Sequence, residues 1–549
     1  MDPPKALATG SGVAIVPQWR GGHDRVAALD RRVDAKRRST EVCTAQRTTR
    51  PQIEAVTFAR LLWDSALAWP DRRAVSSGTE TVTYEALVAR ASAVTKSLVA
   101  AGVRPGDRVA LLLPHGIEAA AAIYGSVGSG AIFSMISWLS RPRQVEFVLR
   151  HTDARVLLTT REWVRQQVRP IETSAPILFV EDVPAVGTVG PLSRSGEDLA
   201  QICYTSGSTG APKGVMITHA NLLAGVRTVV DYLGIVADDR IASVLPFSFV
   251  YGFNQLNCAV ATGASLEVVD TAIAPDIVRG LVAREVSVLA AVPPLWTQLL
   301  GVADFARPLP SLRVLTCAGG RLAPDAVRAL RAVQPQARLY LMYGLTEVFR
   351  STFLPPEEVD AHPESMGRAV PGSRVQVMRD DGHECANDEV GELVHVGPTV
   401  AAGYWSDPEG TARVFRDPPV LGGGSSGPAR AVFSGDLVRR DATGRLFYVG
   451  RRDRMIKTLG FRVSPDEITD VIHASRLVDD AAVTSEPDPQ RGERIVAHVV
   501  LRGTGSLEAL RKWCGAELPR HMVPARWDVR HELPRTSSGK HDLVGLSGP

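Results

Sequence analysis

Apolar residues recur along this chain in two spacings, and the alternation between them predicts its fold class. Helical spacing runs over Leu87–Ala101 until the turn residues Gly102-Val103-Arg104-Pro105-Gly106-Asp107 break it. Val109–Leu113 follows as a short apolar strand, and a helix around Arg143–Arg150 leads into a second strand at Ala154–Thr159. The same alternation continues through Val286–Ala290 and Leu312–Thr316. Helices between short apolar strands predict βα units and a mostly parallel sheet. Gly391–Thr399 and Leu446–Val449 read instead as antiparallel β structure, with Gly-rich loops between them. The expected fold is therefore α/β: a large N-terminal domain of mixed, mostly parallel sheets with helices and a β-rich portion, followed by a smaller α+β C-terminal domain.

The periodicity also divides the chain. Residues 1–52 combine Pro, Gly and clustered Arg31, Arg32, Lys36, Arg37 and Arg38 with little period, and read as a flexible extension. Residues 53–452 form the large domain and residues 453–549 a small one of ordinary domain size. Pro418–Gly427, with its run of Gly and Ser, reads as an exposed loop.

Composition adds mainly exclusions. Of 549 residues, 62 are Lys or Arg and 59 Asp or Glu, a formal charge of +3 that points to no nucleic-acid or membrane partner. No apolar stretch approaches the roughly 18–20 residues of a membrane span. No secretory signal is apparent, so a cytoplasmic location is expected. Cys43, Cys203, Cys258, Cys317, Cys385 and Cys514 show no metal spacing and read as reduced, structural thiols.

Chemistry concentrates first in Thr205-Ser206-Gly207-Ser208-Thr209-Gly210-Ala211-Pro212-Lys213-Gly214, between the apolar strand Leu199–Tyr204 and the run Val215-Met216-Ile217. Gly, Ser and Thr offer open backbone N–H groups and hydroxyl donors to phosphate oxygens, and Lys213 adds a mobile positive charge. It is not the GxxxxGK[ST] loop, because no Ser or Thr follows the lysine. A polar linker has the same composition, but linkers seldom sit between two apolar strands or end in Pro-Lys-Gly.

Four further segments follow in order: Tyr343-Gly344-Leu345-Thr346-Glu347, Ser434-Gly435-Asp436-Leu437, Tyr448–Lys457 and Leu533–Lys540. With the first loop they match the family's YGxTE, [ST]GD, YxGRxDxxIK and LPxTxSGK patterns in register, over roughly residues 57–540. The chain thus resembles the adenylate-forming superfamily of acyl- and aryl-CoA ligases, nonribosomal-peptide adenylation domains and luciferases. It is most similar in local wording to bacterial acyl-CoA or acyl-carrier-protein ligases of biosynthetic clusters.

The resemblance implies ATP-dependent activation of a carboxylic acid to acyl-AMP with release of pyrophosphate. Acyl transfer then follows to a phosphopantetheine thiol, of CoA or of an acyl or peptidyl carrier protein. Glu347 would hold Mg²⁺, Thr346 would bond a phosphate oxygen, and Asp436 and Arg451 would take the ribose. Tyr343, beside Gly344, would stack on adenine, and Lys540 would bridge carboxylate and ATP during attack. Asp453 marks the hinge of a mobile lid, and Gly460 lines a channel for the pantetheine arm. Asp436 as a turn residue and Lys540 as a solvated charge are the plain structural readings.

The acyl pocket implied by resemblance comprises Val250, Tyr251, Asn254, Ala291, Thr316, Ala318, Met342, Arg350 and Ser351. Phe249 stands where many relatives have His, and Leu543 where they often have Arg. Amino-acid-activating relatives commonly place Asp at the position of Val250. An apolar side chain there leaves an ammonium unmatched and speaks against an ordinary α-amino acid. Arg350 either reaches a second polar or anionic group on the substrate or is locked in an ion pair within the fold. Other readings are a stand-alone amino-acid-type domain that loads a carrier protein, a luciferase-like oxygenase and a non-catalytic nucleotide sensor.

Overall fold

The computed structural model describes residues 57–167, 169–205, 212–418, 430–452, 455–503, 505–534, 541 and 543–546. Residues 1–52, the loop 206–211, most of the run 418–427, Asp453 and Lys540 lie outside that set, as do the readings made on them.

Four sheets organise the described chain. The first is ordered Gly403–Tyr404, Lys213–Thr218, Leu199–Thr205, Ile132–Met135, Arg108–Leu112, Ala154–Thr159, Ile177–Phe179. Its strands pair in parallel from Leu199–Thr205 onward and antiparallel on the other side. A second, nine-stranded sheet has a parallel middle from Arg338–Tyr343 to Arg73–Ser77 and antiparallel edges. Strands covered on both faces need no alternation, which explains the unbroken apolar run Val288–Ala291, buried throughout like Ile132–Met135. Helices Phe58–Ala68, Tyr84–Ala100, Ile117–Gly128 and Val250–Thr262 share one core with both sheets.

The β-rich portion is an antiparallel sheet in which Ala431–Arg440 pairs with Val390–Val396, Phe415–Arg416 and Leu446–Arg451. The smaller C-terminal domain has a sheet of Phe461–Val463, Ile456–Thr458, Gly492–Leu501, Val478–Asp488 and Arg526–Val529. Helices Pro465–Ala474 and Leu507–Glu517 close over it around Ile468, Val471, Ala497 and Leu510, a core separate from the others.

The elements expected from periodicity are present with shifted ends. The first helix begins at Tyr84 because Thr83 accepts from the Ala86 N–H at its N-terminus (3.2 Å). The strand expected at Val286 begins at Val288, since Glu285 has positive φ and Ser287 bonds the Asp239 carboxylate. The five described cysteines are free and buried. Among the described residues no helix is long and apolar enough to cross a membrane.

Glu467 sits in the first turn of Pro465–Ala474, where Ser464 Oγ accepts from its backbone N–H. Burial pushes its carboxyl up to about 7, with Arg143 opposing and Asp470 adding to the rise. A carboxyl whose pKa rises on folding keeps more protons in the folded state, so its contribution is complete below the unfolded value and is lost as pH rises through the folded one. We expect the melting temperature to fall between about pH 5 and pH 8, and Glu467→Gln to remove part of that fall. Parallel melting curves for the two proteins across this range would contradict the assignment.

Candidate active site

Two antiparallel pairings and one folded-back loop assemble the site. Leu199–Thr205 and Lys213–Thr218 form a hairpin with Thr205 opposite Lys213, so both ends of the Gly/Ser/Thr segment leave the sheet together. In the β-rich sheet Asp436 lies opposite Arg451, whose Nη1 donates to Asp436 Oδ1 at 2.7 Å. The loop after Arg338–Tyr343 returns on itself, the Ser351 N–H donating to the Tyr343 carbonyl at 2.9 Å. Phe349 makes that return at φ 60°, a left-handed conformation unusual for a bulky residue. Its ring fills the space over Gly225, where a Cβ would come within 2.8 Å of it.

These elements surround a cavity of about 610 Å³ lined by Thr205, Tyr343, Gly344, Thr346, Asp436 and Arg451. Asp436 is 2% exposed, and the Tyr343 hydroxyl donates to its Oδ2. Each carboxylate oxygen has two lone pairs, so Asp436 can still accept from ribose hydroxyls while Arg451 and Tyr343 hold it in place. Burial and the Asp436 charge together raise the Tyr343 phenol well above its ordinary value, so it stays a donor. Sequence reasoning gave Tyr343 a stacking role only; its hydroxyl bond to Asp436 is an added anchor.

Lys213 and Glu347 stand one residue off the lining, next to Pro212 and Thr346. Tyr404 connects them. Its hydroxyl donates to Glu347 Oε1 at 2.7 Å, and Lys213 Nζ lies 5.0 Å from its ring centre. Desolvation lowers the Lys213 pKa, helped by Arg413 and opposed by Asp407 and Glu347. No pattern in the sequence marked Tyr404.

Among the described residues no cluster of three or more His, Cys, Asp or Glu side chains could hold a metal. Glu347 brings one carboxylate to the cavity edge, next to the lining residue Thr346. That suits Mg²⁺, which keeps several waters and takes phosphate oxygens beside one or two carboxylates.

The opposite wall comes from the small domain. Leu459 and Gly460 have φ of 52° and 82° and form the two-residue turn between Ile456–Thr458 and Phe461–Val463. Gly460 lines the cavity, and a Cβ on it would meet Val292 Cγ2 at 2.9 Å. Phe249 packs edge-on against Phe461 (4.9 Å, 74°), so the residue replacing the usual His joins the two domains. Lys457 lies 4.6 Å from the Tyr448 ring centre, its pKa lowered chiefly by desolvation and raised in part by Asp436. It sat unremarked within the YxGRxDxxIK stretch.

Both segments of this architecture match family models. Residues 62–405 match the model described as AMP-binding enzyme, and residues 467–540 the AMP-binding enzyme C-terminal domain. The chain belongs to the AMP-binding enzyme family. It is 30% identical over 505 residues to the L-proline–[L-prolyl-carrier protein] ligase of Pseudomonas fluorescens, covering 88% of this chain and 97% of that protein. It is also 30% identical over 523 residues to the sulfoacetate–CoA ligase of Cupriavidus necator, covering 89% and 97%. A solved structure of o-succinylbenzoate CoA synthetase from Bacillus subtilis superposes with a TM-score of 0.80 at 24% identity, covering 89% of this chain and 98% of that one. This AMP-binding enzyme is thus an AMP-forming acid–thiol ligase with the α/β fold expected from its sequence.

The residues expected in its acyl pocket divide. Val250, Tyr251, Ala318, Met342 and Arg350 line the cavity. Asn254, Ala291, Thr316 and Ser351 do not; all four are buried in the structure around it. Thr316 bonds the Tyr251 hydroxyl at 2.6 Å and Ser351 bonds His395 at 3.0 Å, so both are engaged in supporting contacts. Cavity lining depends on which way a strand or loop residue is turned by its neighbours, and spacing alone leaves that open.

The Asp436 cluster also bears on stability. Asp436→Asn removes the charge that Arg451 and Tyr343 both address, inside an almost fully buried group. We expect a loss of about 3 kcal/mol in urea unfolding of the AMP-binding enzyme. A loss near zero would mean that the Arg451 guanidinium is already satisfied elsewhere.

Proposed function

We propose that this one cavity serves both half-reactions of acid–thiol ligation, with the nucleotide on the Asp436 side and the acid between Val250, Tyr251 and Met342. The observation that carries the reading is the meeting of Asp436, Arg451, Thr346 and the Gly460 turn on one wall-to-wall cavity, with Lys213 and Glu347 linked at its edge.

In the first half-reaction the substrate carboxylate attacks the α-phosphorus of ATP, and pyrophosphate leaves. No protein nucleophile is required. The barrier is electrostatic, because two anions must approach, and oriented donors lower it. Lys213 and the 205–210 segment, including Ser206, Gly207, Ser208, Thr209 and Gly210, take phosphate oxygens. Thr346 adds a donor, Asp436 and Arg451 seat the ribose, and Tyr343 contacts the base. Glu347 would hold Mg²⁺, which supplies charge neutralisation at the phosphates.

Lys540 is assigned to this step alone. Its neighbour His541 bonds Asp480 at 2.9 Å on the small domain, and Leu533 and Pro534 border a second pocket with Asp480. None of the three lines the cavity. In the proposed scheme, rotation of residues 453–549 about Asp453 brings Lys540 to the acid and withdraws Gly460. With the Gly460 turn in place, as here, the arrangement suits the second step. A pantetheine thiol attacks the acyl carbonyl, the thioester forms, and AMP and the thiol proton leave. The two curated relatives differ in acceptor by name, a carrier protein in one and CoA in the other, and both remain in the proposal.

Three outcomes test this division. Lys540→Ala should abolish acid-dependent pyrophosphate release yet transfer preformed acyl-AMP to CoA or carrier protein at the parent rate; equal loss of both halves would refute it. Gly460→Leu should do the reverse, slowing thioester formation roughly 100-fold or more while sparing adenylation. Chelation of divalent cations should stop pyrophosphate release, with Mg²⁺ restoring it and Glu347→Gln raising the Mg²⁺ concentration needed; full activity in excess chelator would remove the metal from the scheme.

A further inference from the structure

The cavity wall that carries Val250 and Met342 contains a buried cation with no carboxylate partner among the described residues. Arg350 lines the cavity, is 5% exposed, and among the described residues forms no ion pair with a carboxylate. Its guanidinium carbon lies 4.7 Å from the centre of the Tyr251 ring and its other neighbour is the Tyr232 hydroxyl. Nε has no hydrogen-bond partner. Glu347, three residues earlier, is bonded to Tyr404 instead. Of the two readings open from sequence, the ion pair within the fold is thus not the one found.

A second unsatisfied side chain lies behind the cavity lining, in the helix Val250–Thr262. Asn254 is fully buried, and neither Nδ2 nor Oδ1 has a partner. In Val250–Thr262 it falls between Tyr251 and Cys258, spaced three and four residues from them, and the Arg350 charge acts on both of those residues. Of the two, only Arg350 lines the cavity, beside the apolar side chains of Val250, Ala318 and Met342. Burying an unpaired guanidinium is expensive, and a tyrosine face returns only part of that cost. The guanidinium fork is shaped to take a carboxylate or a similar oxyanion through paired N–H donors.

We infer that the acid activated by this enzyme bears a second anionic group, a carboxylate or sulfonate remote from the reacting carboxylate, seated on Arg350. This rests on the ligase reading, since it assumes that the Val250–Met342 end of the cavity holds the acid. Val250 has no charge to pair a substrate ammonium, and Arg350 would repel one, so the same pocket selects anion over cation.

The test is a matched panel: α,ω-dicarboxylic acids of several lengths and aromatic dicarboxylic acids, their monomethyl esters, ω-sulfonated acids, and plain monoacids of equal length. Acid-dependent pyrophosphate release is measured for the wild type, Arg350→Met and Arg350→Lys. We expect the wild type to favour dianionic acids over the matched esters by roughly 10- to 100-fold in kcat/KM, Arg350→Met to lose or invert the preference, and Arg350→Lys to keep part of it. Equal or better use of esters and monoacids by the wild type overturns the inference while leaving the ligase intact, as does an undiminished dianion preference in Arg350→Met. Thermal shift by the acids alone separates the two readings. If no acid supports pyrophosphate release, yet dianionic acids raise the melting temperature of the wild type and not of Arg350→Met, the ligase reading fails and the anion seat stands.

Discussion

Two anions have to meet in this enzyme, and their mutual repulsion is the constraint around which the site is arranged. A carboxylate reaches the innermost phosphorus of a triphosphate only where positive charge and oriented donors are already in place. The groups available for this come from parts of the chain with no local relation to one another. Strand pairing brings them together: Thr205 opposite Lys213 in one sheet, Asp436 opposite Arg451 in another. Because both pairings are antiparallel, each places a donor and an acceptor side by side at a sheet end. Tyr404 and Tyr343 then tie each set to the loop that carries Thr346 and Glu347.

One wall of the same cavity comes from the small domain. The turn at Leu459-Gly460 reaches the large domain through Val292 and through the Phe249–Phe461 ring contact, both apolar and non-directional. Contacts of that kind can slide and part at lower cost than a buried ion pair. The small domain has its own core around Ile468 and Ala497, so it can move without unfolding.

On the acid side, the balance of charge differs. Val250, Met342 and Ala318 offer apolar surface, while Arg350 brings a charge with no carboxylate partner among the described residues. Burial of such a charge is unfavourable until an anion completes it. The loop that carries Arg350 is the one that carries Thr346 and Glu347, so all three side chains depend on one backbone turn at Phe349.

Much of this was legible in the residues alone. An unbroken apolar run such as Val288–Ala291 marks a strand covered on both faces, and the Gly/Ser/Thr segment between two apolar strands marks a loop rich in donors, because those properties belong to short stretches of chain. Tertiary structure decided what depends on distant neighbours: that Tyr404 bridges Lys213 and Glu347, that Thr316 and Ser351 support the pocket without lining it, and that Phe249 meets Phe461. It also decided that Arg350 is buried without a carboxylate among the described residues. The physical reason is common to all of these. A local pattern determines what a residue can do, but burial and the identity of its partner are set by packing between segments far apart in the chain, which no spacing within one segment encodes.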